Sequence, residues 1–249
     1  MAGRLTGKVA VVTGGTGGIG RCAVEAFSRE GASVAILARN RQRMDEIVAG
    51  LSGPGLGVEC NVGDPASVRE AFARIAGQFG GTDILVNNAA AMQPQLVAEA
   101  DDALLQREMG INFFGPIYTS REAVAQMRRR GGGDIINISS EIVHAPFAFL
   151  GIYAAAKSAL ETLSAAMRSE LREDNIRVMV LRSGYVKGSS LRNEWPKDIE
   201  KRYFDWMERS GMQKNLGQPI EPETTGNMIA DLACLPREAN IDIVELRPL

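Results

Sequence analysis

Short apolar runs alternate along this chain with longer stretches in which apolar residues recur every three or four positions. Most of the runs are rich in valine and isoleucine without strict alternation, which is typical of parallel strands covered on both faces. The predicted strands are Lys8–Thr13, Ser33–Leu37, Leu56–Cys60, Ile84–Asn87, Ile135–Ser139, Arg177–Leu181 and Ile241–Leu246. The predicted helices are Gly18–Glu30, Arg41–Ala49, Ala66–Gln78, Asp101–Arg130, Ile152–Glu173 and Glu223–Leu235.

This alternation of strands and helices with short connections predicts an α/β fold. We expect residues 1–249 to form a single domain, a Rossmann-type doubly wound parallel β-sheet of about seven strands with helices on both faces. One segment interrupts the alternation, because residues 188–218 lie between the sixth and seventh strands and contain both tryptophans, Trp195 and Trp206.

The composition limits the kinds of molecule that this protein is expected to bind. The chain is 45% hydrophobic and 23% charged with a net charge of -2, so no basic excess favours nucleic acid or an anionic membrane. No apolar run reaches the ~18 residues that span a bilayer, and Met1–Gly7 lacks the apolar block of a signal peptide. The three cysteines lack metal-ligand spacing and His144 is the only histidine, so we expect no metal site. We therefore expect a cytoplasmic protein acting on a small molecule.

A glycine-rich turn joins the first predicted strand to the first predicted helix. The segment Thr13–Gly20 contains five glycines, which permit a tight turn and let backbone N–H groups approach a pyrophosphate. The N-terminus of the helix then stabilises the anion. A structural turn is the alternative, but the position between strand and helix favours a dinucleotide site. The candidate contacts are Gly14, Thr16, Gly18, Ile19 and Gly20.

The end of the second strand bears on the choice between NAD and NADP. An acidic side chain there would bind the ribose 2′-hydroxyl of NAD, but the sequence has Ala38 followed by Arg39 and Asn40. Arg39 could hold a 2′-phosphate with its planar guanidinium. A solvated basic start to the second helix is the alternative. We predict NADP(H) rather than NAD(H), with Arg39 and Asn40 at the site.

Further motifs follow in order along the chain. Asn87-Asn88-Ala89-Ala90 follows the fourth strand, Asn112 lies in the fourth helix, Ser140 ends the fifth strand, and Tyr153 and Lys157 are four residues apart. With the glycine-rich turn, this set resembles the short-chain dehydrogenase/reductases, in their shorter single-domain branch, from Gly7 to about Val186. The resemblance implies an NADP-dependent oxidoreductase that reversibly reduces a ketone or aldehyde to an alcohol. It also implies a homodimer or homotetramer.

Tyr153 is the candidate acid–base residue. On a helix Tyr153 and Lys157 share one face, and a nearby ammonium should lower the pKa of the phenol from its usual ~10. Such a tyrosine can give a proton to an alkoxide or take one from an alcohol, while Ser140 would hydrogen-bond the substrate oxygen. The resemblance implies that Asn112 holds a water in a proton relay through Lys157. The alternatives are an exposed pair for Tyr153 and Lys157, and a capping or packing role for Asn112.

The resemblance also implies the remaining cofactor contacts. Asn88, Ala89 and Ala90 would line the nucleotide groove, and Asn61 and Val62 would contact the adenine. The loop after the sixth strand would supply Ser183, Gly184 and Val186, and Tyr153 and Lys157 would contact the cofactor as well.

That loop departs from the family pattern. Ser183 stands where proline is usual and Gly188 where threonine would contact the nicotinamide carboxamide. We expect Ser189 or backbone groups to take over this contact.

The substrate wall is predicted from less specific residues. Glu141 follows Ser140 directly, where small residues are more usual, and would disfavour anionic substrates if it points inward; the alternative is that it points to solvent. The segment 188–218 could cover the substrate as a lid, or dock onto the core or a partner subunit. The candidate substrate residues are Glu141, His144, Tyr185, Trp195 and Trp206. For His144 the favoured alternative is a loop residue with no role in the chemistry.

Two other functions fit the same motifs. The site could reduce a carbon–carbon double bond or an imine, although Ser140 and Tyr153 suit an oxygen better. A non-catalytic NADP-binding regulatory protein is the second alternative, but the Tyr153 and Lys157 pair is intact.

Overall fold

The computed structural model describes residues 3–188, 190–192, 195–212 and 217–249. It contains a parallel sheet of seven strands in the order β3-β2-β1-β4-β5-β6-β7. The strands are β1 Val9–Thr13, β2 Ser33–Ala38, β3 Gly55–Glu59, β4 Ile84–Asn87, β5 Gly133–Ser140, β6 Ile176–Ser183 and β7 Ile243–Leu246. All seven predicted strands are thus confirmed, with shifts of one or two residues at their ends.

Eight α-helices occur in the described ranges. They are α1 Gly18–Arg29, α2 Arg41–Ala49, α3 Pro65–Phe79, α4 Asp102–Met109, α5 Gly115–Arg130, α6 Gly151–Glu170, α7 Lys197–Arg209 and α8 Pro222–Ala233. None of the helices in this part of the chain is long and apolar enough to cross a membrane.

Two apolar layers cover the sheet. Ala10 and Val12 of β1 pack on one face with side chains from α1, α2 and α8. Val9 and Val11 pack on the other face with side chains from α3, α5 and α6. Because every residue of β1 is buried, the strand needs apolar side chains at successive positions. The predicted doubly wound architecture with helices on both faces is confirmed.

The strand order reverses between β1 and β4, which are neighbours in the sheet. In open parallel sheets, ligands bind outside the carboxyl ends of the strands at such a reversal. β1, β4, β5 and β6 end at Thr13, Asn87, Ser140 and Ser183. The motifs of the sequence are therefore brought to one edge of the sheet.

The predicted helix Asp101–Arg130 is interrupted. Between α4 and α5 the residues Gly110–Phe114 form a π-helical turn. Such turns are frequent at functional sites, and this one carries Asn112, which is fully buried. The spacing of apolar residues could not predict this turn, because helical structure continues from α4 through the turn into α5.

Helix α7 is the second difference, since residues 197–209 were not predicted as a helix. Tyr203 and Met207, four residues apart, are its buried side chains. They pack with Phe149, Leu150 and Tyr153. The described part of the 188–218 segment is therefore docked on the core of its own chain.

Candidate active site

A cavity of about 720 Å³ lies at the carboxyl edge of the sheet, within the size range of cofactor and ligand sites. The structure brings most of the predicted cofactor residues to its wall. They are Gly14, Thr16, Gly18, Ile19, Arg39, Asn61, Val62, Asn88, Ala89, Ala90, Tyr153, Lys157, Ser183, Gly184 and Val186.

The glycine-rich turn fits a pyrophosphate. Gly14 has a φ of +65°, and a Cβ there would lie 2.9 Å from Cα of Ala89, so only glycine is accommodated without strain. Gly17 begins α1 without a side-chain cap, which leaves the first N–H groups of the helix available to an anion. These features match the cradle that a dinucleotide requires.

Gly20 has a different role from its neighbours, because it does not line the cavity. A Cβ on Gly20 would collide with Nδ2 of Asn88. That Nδ2 donates hydrogen bonds to the backbone oxygens of Thr13, at 2.9 Å, and Gly14, at 3.2 Å. Thr13 Oγ1 in turn accepts from the backbone N–H groups of Asn88 and Ala89. Gly20 thus leaves the space in which Asn88 ties the turn to β4.

The residues after β2 and β3 form the end of the cavity that was predicted to hold the adenosine. Arg39 and Arg43 line the cavity there. Asn40 does not; its Oδ1 accepts a hydrogen bond of 2.9 Å from the backbone N–H of Arg43 and caps α2. A helix cap explains this asparagine without a cofactor. Asn61 lines the cavity, and its Oδ1 accepts from Gly63 N at 3.1 Å.

The predicted catalytic residues Ser140, Tyr153 and Lys157 meet in the middle of the cavity. Tyr153 and Lys157 lie one turn apart on α6, and Nζ of Lys157 is 5.6 Å from the centre of the phenol ring. Lys157 Nζ also donates a hydrogen bond of 2.8 Å to the backbone oxygen of Ile138. Ser140, at the end of β5, accepts from Ile142 N at 3.4 Å. Both Tyr153 and Lys157 are buried.

The pKa of Tyr153 differs from the expected direction. Burial is the largest influence and raises it, the charge of Glu108 raises it further, and hydrogen bonding with Ser140 opposes them. Burial lowers the pKa of Lys157 to about 8. The ammonium of Lys157 is not among the causes of this shift, so the expected lowering of the phenol pKa is not seen, and removing the phenolate from water raises the pKa instead. The phenol keeps its proton at neutral pH.

Asn112 does not line the cavity. Its Nδ2 donates to the backbone oxygen of Ala91 at 2.6 Å, and its Oδ1 accepts from Ala91 N at 3.1 Å. The side chain thus fixes the loop after β4, and Ala91 of that loop lines the cavity. This is the packing alternative for Asn112, and the water relay stays a prediction.

The loop after β6 is held by backbone hydrogen bonds. Gly184 N donates to Leu246 O at 2.8 Å, Ile220 N to Tyr185 O at 2.9 Å, and Lys187 N to Ile220 O at 3.0 Å. These bonds fix the loop where the family pattern has proline. Gly188 lines the cavity with a φ of +67°. The expected substitute contact at Ser189 lies outside the described residues.

Three of the five predicted substrate residues line the cavity: Glu141, Tyr185 and Trp195. Glu141 is half-buried rather than solvated. Burial raises the pKa of its carboxyl, while Arg247 and a hydrogen bond from the Tyr185 backbone oppose this. Trp195 is 5% exposed, and its Nε1 donates a hydrogen bond of 2.6 Å to Met92 O.

His144 and Trp206 are not part of the cavity wall. The half-exposed ring of His144 lies 2.9 Å from Arg182 Nη1 and 3.2 Å from Glu245 Oε2, which agrees with the alternative of a loop residue without a chemical role. Trp206 stacks on Phe147, with 5.9 Å between ring centres. Phe147 itself lines the cavity, so Trp206 supports the wall from behind.

Glu108 was not predicted as a site residue from the sequence. Its side chain lines the cavity and is 1% exposed. A signal was present, because Glu108 lies four residues before Asn112 on the predicted helix and a residue at that spacing shares its face. In the ranges that the structure describes, no group of three or more histidine, cysteine, aspartate or glutamate side chains could hold a metal ion.

Comparisons with known proteins agree with this geometry. The family described as short chain dehydrogenase matches residues 8–200. Dehydrogenase/reductase SDR family member 4 of Sus scrofa is 33% identical over 220 residues, covering 86% of this chain and 77% of that protein.

Similarity to solved structures points to the same family. The closed form of serine dehydrogenase complexed with NADP+ has a TM-score of 0.85 at 25% identity, covering 96% of this chain and 94% of the other. A metagenomic short-chain oxidoreductase in complex with NADP has a TM-score of 0.80 at 26% identity and covers 99% of both chains. The chain therefore belongs to the short-chain dehydrogenase/reductase family of oxidoreductases.

Proposed function

We propose that this protein is an NADPH-dependent reductase of ketones or aldehydes in which Tyr153 protonates the carbonyl oxygen. The observation that carries the proposal is the arrangement of Tyr153, Ser140 and Lys157 in one cavity with the glycine-rich turn. Burial raises the pKa of Tyr153, so the phenol is the form available to protonate a carbonyl oxygen.

Each side chain has a distinct task in the reaction. The nicotinamide, when bound, supplies a hydride to the carbonyl carbon. The Tyr153 hydroxyl gives its proton to the carbonyl oxygen, so that an alcohol forms and a phenolate remains. Ser140 donates a hydrogen bond to the same oxygen and stabilises the growing negative charge. Lys157, whose Nζ lies 5.6 Å from the centre of the Tyr153 ring, offers positive charge to the phenolate until a proton from solvent restores the phenol.

The choice of NADP(H) rests on the end of the cavity after β2. Arg39 and Arg43 lie there, and a guanidinium can bind a phosphate with two parallel hydrogen bonds. The only acidic residues on the described wall are Glu108 and Glu141, which lie away from this end. The two structural relatives named above are complexes with NADP.

We also propose a cytoplasmic homodimer or homotetramer. The three cysteines are unpaired, as in a reducing compartment. Phe114, at the end of the π-helical turn, is 45% exposed and stacks on Tyr118 of α5 at 6.4 Å, which leaves an apolar surface at the start of α5 for another subunit. Light scattering of the purified protein should give two or four times the chain mass of 26.8 kDa; a monomer would contradict this assignment.

The function is tested by following NADPH consumption with a panel of neutral ketones and aldehydes. Tyr153→Phe should lower kcat by about 10²–10⁴-fold and leave the dissociation constant of NADPH unchanged. Tyr118→Phe, which removes a hydroxyl outside the cavity, serves as the matched control. Full activity of Tyr153→Phe, or no carbonyl consumed by the wild type, would contradict the proposal. An activated alkene and an imine in the panel test the alternative reactions.

A further inference from the structure

Glu108 is a buried carboxylate at the end of α4, on the cavity wall and 1% exposed. Its Oε1 accepts a hydrogen bond of 2.6 Å from the backbone N–H of Gln93. A carboxylate offers about four acceptor positions, and the hydrogen bond described here uses one of them. The remaining acceptor positions of Glu108 lie at the cavity wall.

The position of Glu108 is the substrate end of the cavity. Its charge raises the pKa of Tyr153, so the carboxylate lies near the reacting hydroxyl. Its partner Gln93 follows Met92, whose backbone oxygen accepts the hydrogen bond from Trp195. Glu108 therefore belongs to the part of the wall that contains Tyr153 and Trp195, whereas Arg39 and Arg43 belong to the segment that follows β2.

The rest of this wall is largely apolar. Phe147, Leu150, Trp195 and Tyr203 line the same part of the cavity, and they belong to or pack against the cluster that contains Tyr153. A substrate body that fits this wall is apolar, with polar recognition supplied at few points. Charged side chains are few on this part of the wall: Arg192 lies 5.9 Å from the centre of the Trp195 ring, and Glu108 lies near Tyr153.

The buried carboxylate of Glu108 contributes little to the stability of the fold. Burial raises the pKa of Glu108 to about 7, opposed by the Gln93 hydrogen bond and by the charge of the exposed Arg107. Burying an acid without a buried basic partner costs free energy. Groups retained at such a cost in a cavity are candidates for ligand recognition.

We propose that Glu108 determines substrate specificity by accepting a hydrogen bond from a hydroxyl or amino group that the substrate carries beside its carbonyl. The preferred substrate is then an uncharged or cationic carbonyl compound with an apolar body and a donor on the adjacent carbon. Substrates with a carboxylate at that position are disfavoured by like charge. The inference rests on the proposed carbonyl reduction.

The test compares aryl ketones that differ at one group. α-Hydroxyacetophenone has the donor, α-methoxyacetophenone has the same electron-withdrawing oxygen without it, and benzoylformate places a carboxylate there. With NADPH as reductant, the wild type should show a kcat/KM at least about tenfold higher for the hydroxy than for the methoxy ketone. Benzoylformate should be the poorest of the three.

Glu108→Gln is the informative variant. Its amide oxygen can keep the hydrogen bond from Gln93 N, while its NH₂ replaces the second oxygen and no longer accepts. The ratio between hydroxy and methoxy ketones should fall to within about twofold, and kcat/KM for benzoylformate should rise. Glu46→Gln, which replaces an exposed carboxylate on α2 outside the cavity, is the control and should retain the wild-type ratio.

The outcomes separate this inference from the proposed function. A wild-type ratio within about twofold, or a Glu108→Gln variant that keeps the tenfold ratio, overturns the role of Glu108 while carbonyl reduction stands. If the wild type reduces no ketone at all, both proposals fall. The wild-type comparison needs no variant, and unchanged NADPH binding by Glu108→Gln shows that the variant is folded.

Discussion

Replacing Glu108 with glutamine should change how the stability of the protein depends on pH. The substitution keeps the shape of the side chain and the acceptor for Gln93 N, but it removes an ionisable group that is 1% exposed. The folded carboxyl has a pKa of about 7 because of burial, against an ordinary value of 4.5. The free energy of unfolding should therefore respond to pH in the wild type and less in the variant.

The direction follows from proton binding. Between pH 4.5 and 7 the folded wild type holds a proton that the unfolded chain releases, so raising the pH favours unfolding. Each pH unit in this interval corresponds to about 1.4 kcal/mol, which sets a ceiling of ~3 kcal/mol. Over pH 5 to pH 8 the variant should gain roughly 2–3 kcal/mol relative to the wild type. Below pH 4.5 both states hold the proton and this difference disappears.

Urea unfolding at fixed protein concentration, followed by circular dichroism at pH 5, 6, 7 and 8, measures this difference. Glu46→Gln on the exposed face of α2 serves as control and should track the wild type. A Glu108→Gln difference that is constant over this range, or that favours the wild type as the pH rises, would refute the reasoning about burial.

Three further predictions concern the cofactor site and its supporting loop. Arg39→Ala should weaken NADPH binding at least about tenfold more than NADH binding, measured by fluorescence titration. Gly20→Ala should abolish NADPH binding or lower the melting temperature, because its Cβ would displace Asn88. Asn112→Ala should lower the free energy of unfolding by about 1–3 kcal/mol, since it removes two buried hydrogen bonds, measured by urea unfolding.

Each of these has a control and a contradicting result. Arg41→Ala removes an exposed arginine paired with Asp45 and should leave both nucleotide affinities unchanged. Equal losses for NADPH and NADH in Arg39→Ala would contradict the phosphate contact. Wild-type binding and melting of Gly20→Ala would contradict the packing of Asn88 against the turn. For Asn112→Ala, unchanged stability would show that Ala91 is held by other contacts.

The sheet could be predicted from the sequence because each of its strands carries its own signal. Parallel strands buried on both faces need runs of apolar residues, as in Val9–Thr13, and the runs are separated by helical periodicity. The glycine-rich turn and the pair Tyr153 and Lys157 could also be predicted from the sequence, since local spacing fixes their geometry.

Features that depend on distant contacts could not be predicted in the same way. Asn112 is buried because its amide meets the backbone of Ala91, and nothing in local spacing specifies this contact. His144 lies near Ser140 in sequence, but Arg182 and Glu245 hold it outside the cavity. The pKa of Tyr153 depends on burial and on Glu108, neither of which a spacing of four residues reveals.

The most direct test of hydride transfer to a carbonyl uses NADPH deuterated at C4 of the nicotinamide, with each face labelled in turn. The ketone that the wild type reduces fastest is incubated with this cofactor, and the product is analysed by mass spectrometry. With one of the two labelled cofactors, the alcohol should carry one deuterium on its carbinol carbon. Cofactor oxidation that yields no alcohol, or alcohol without deuterium from either cofactor, would contradict the account.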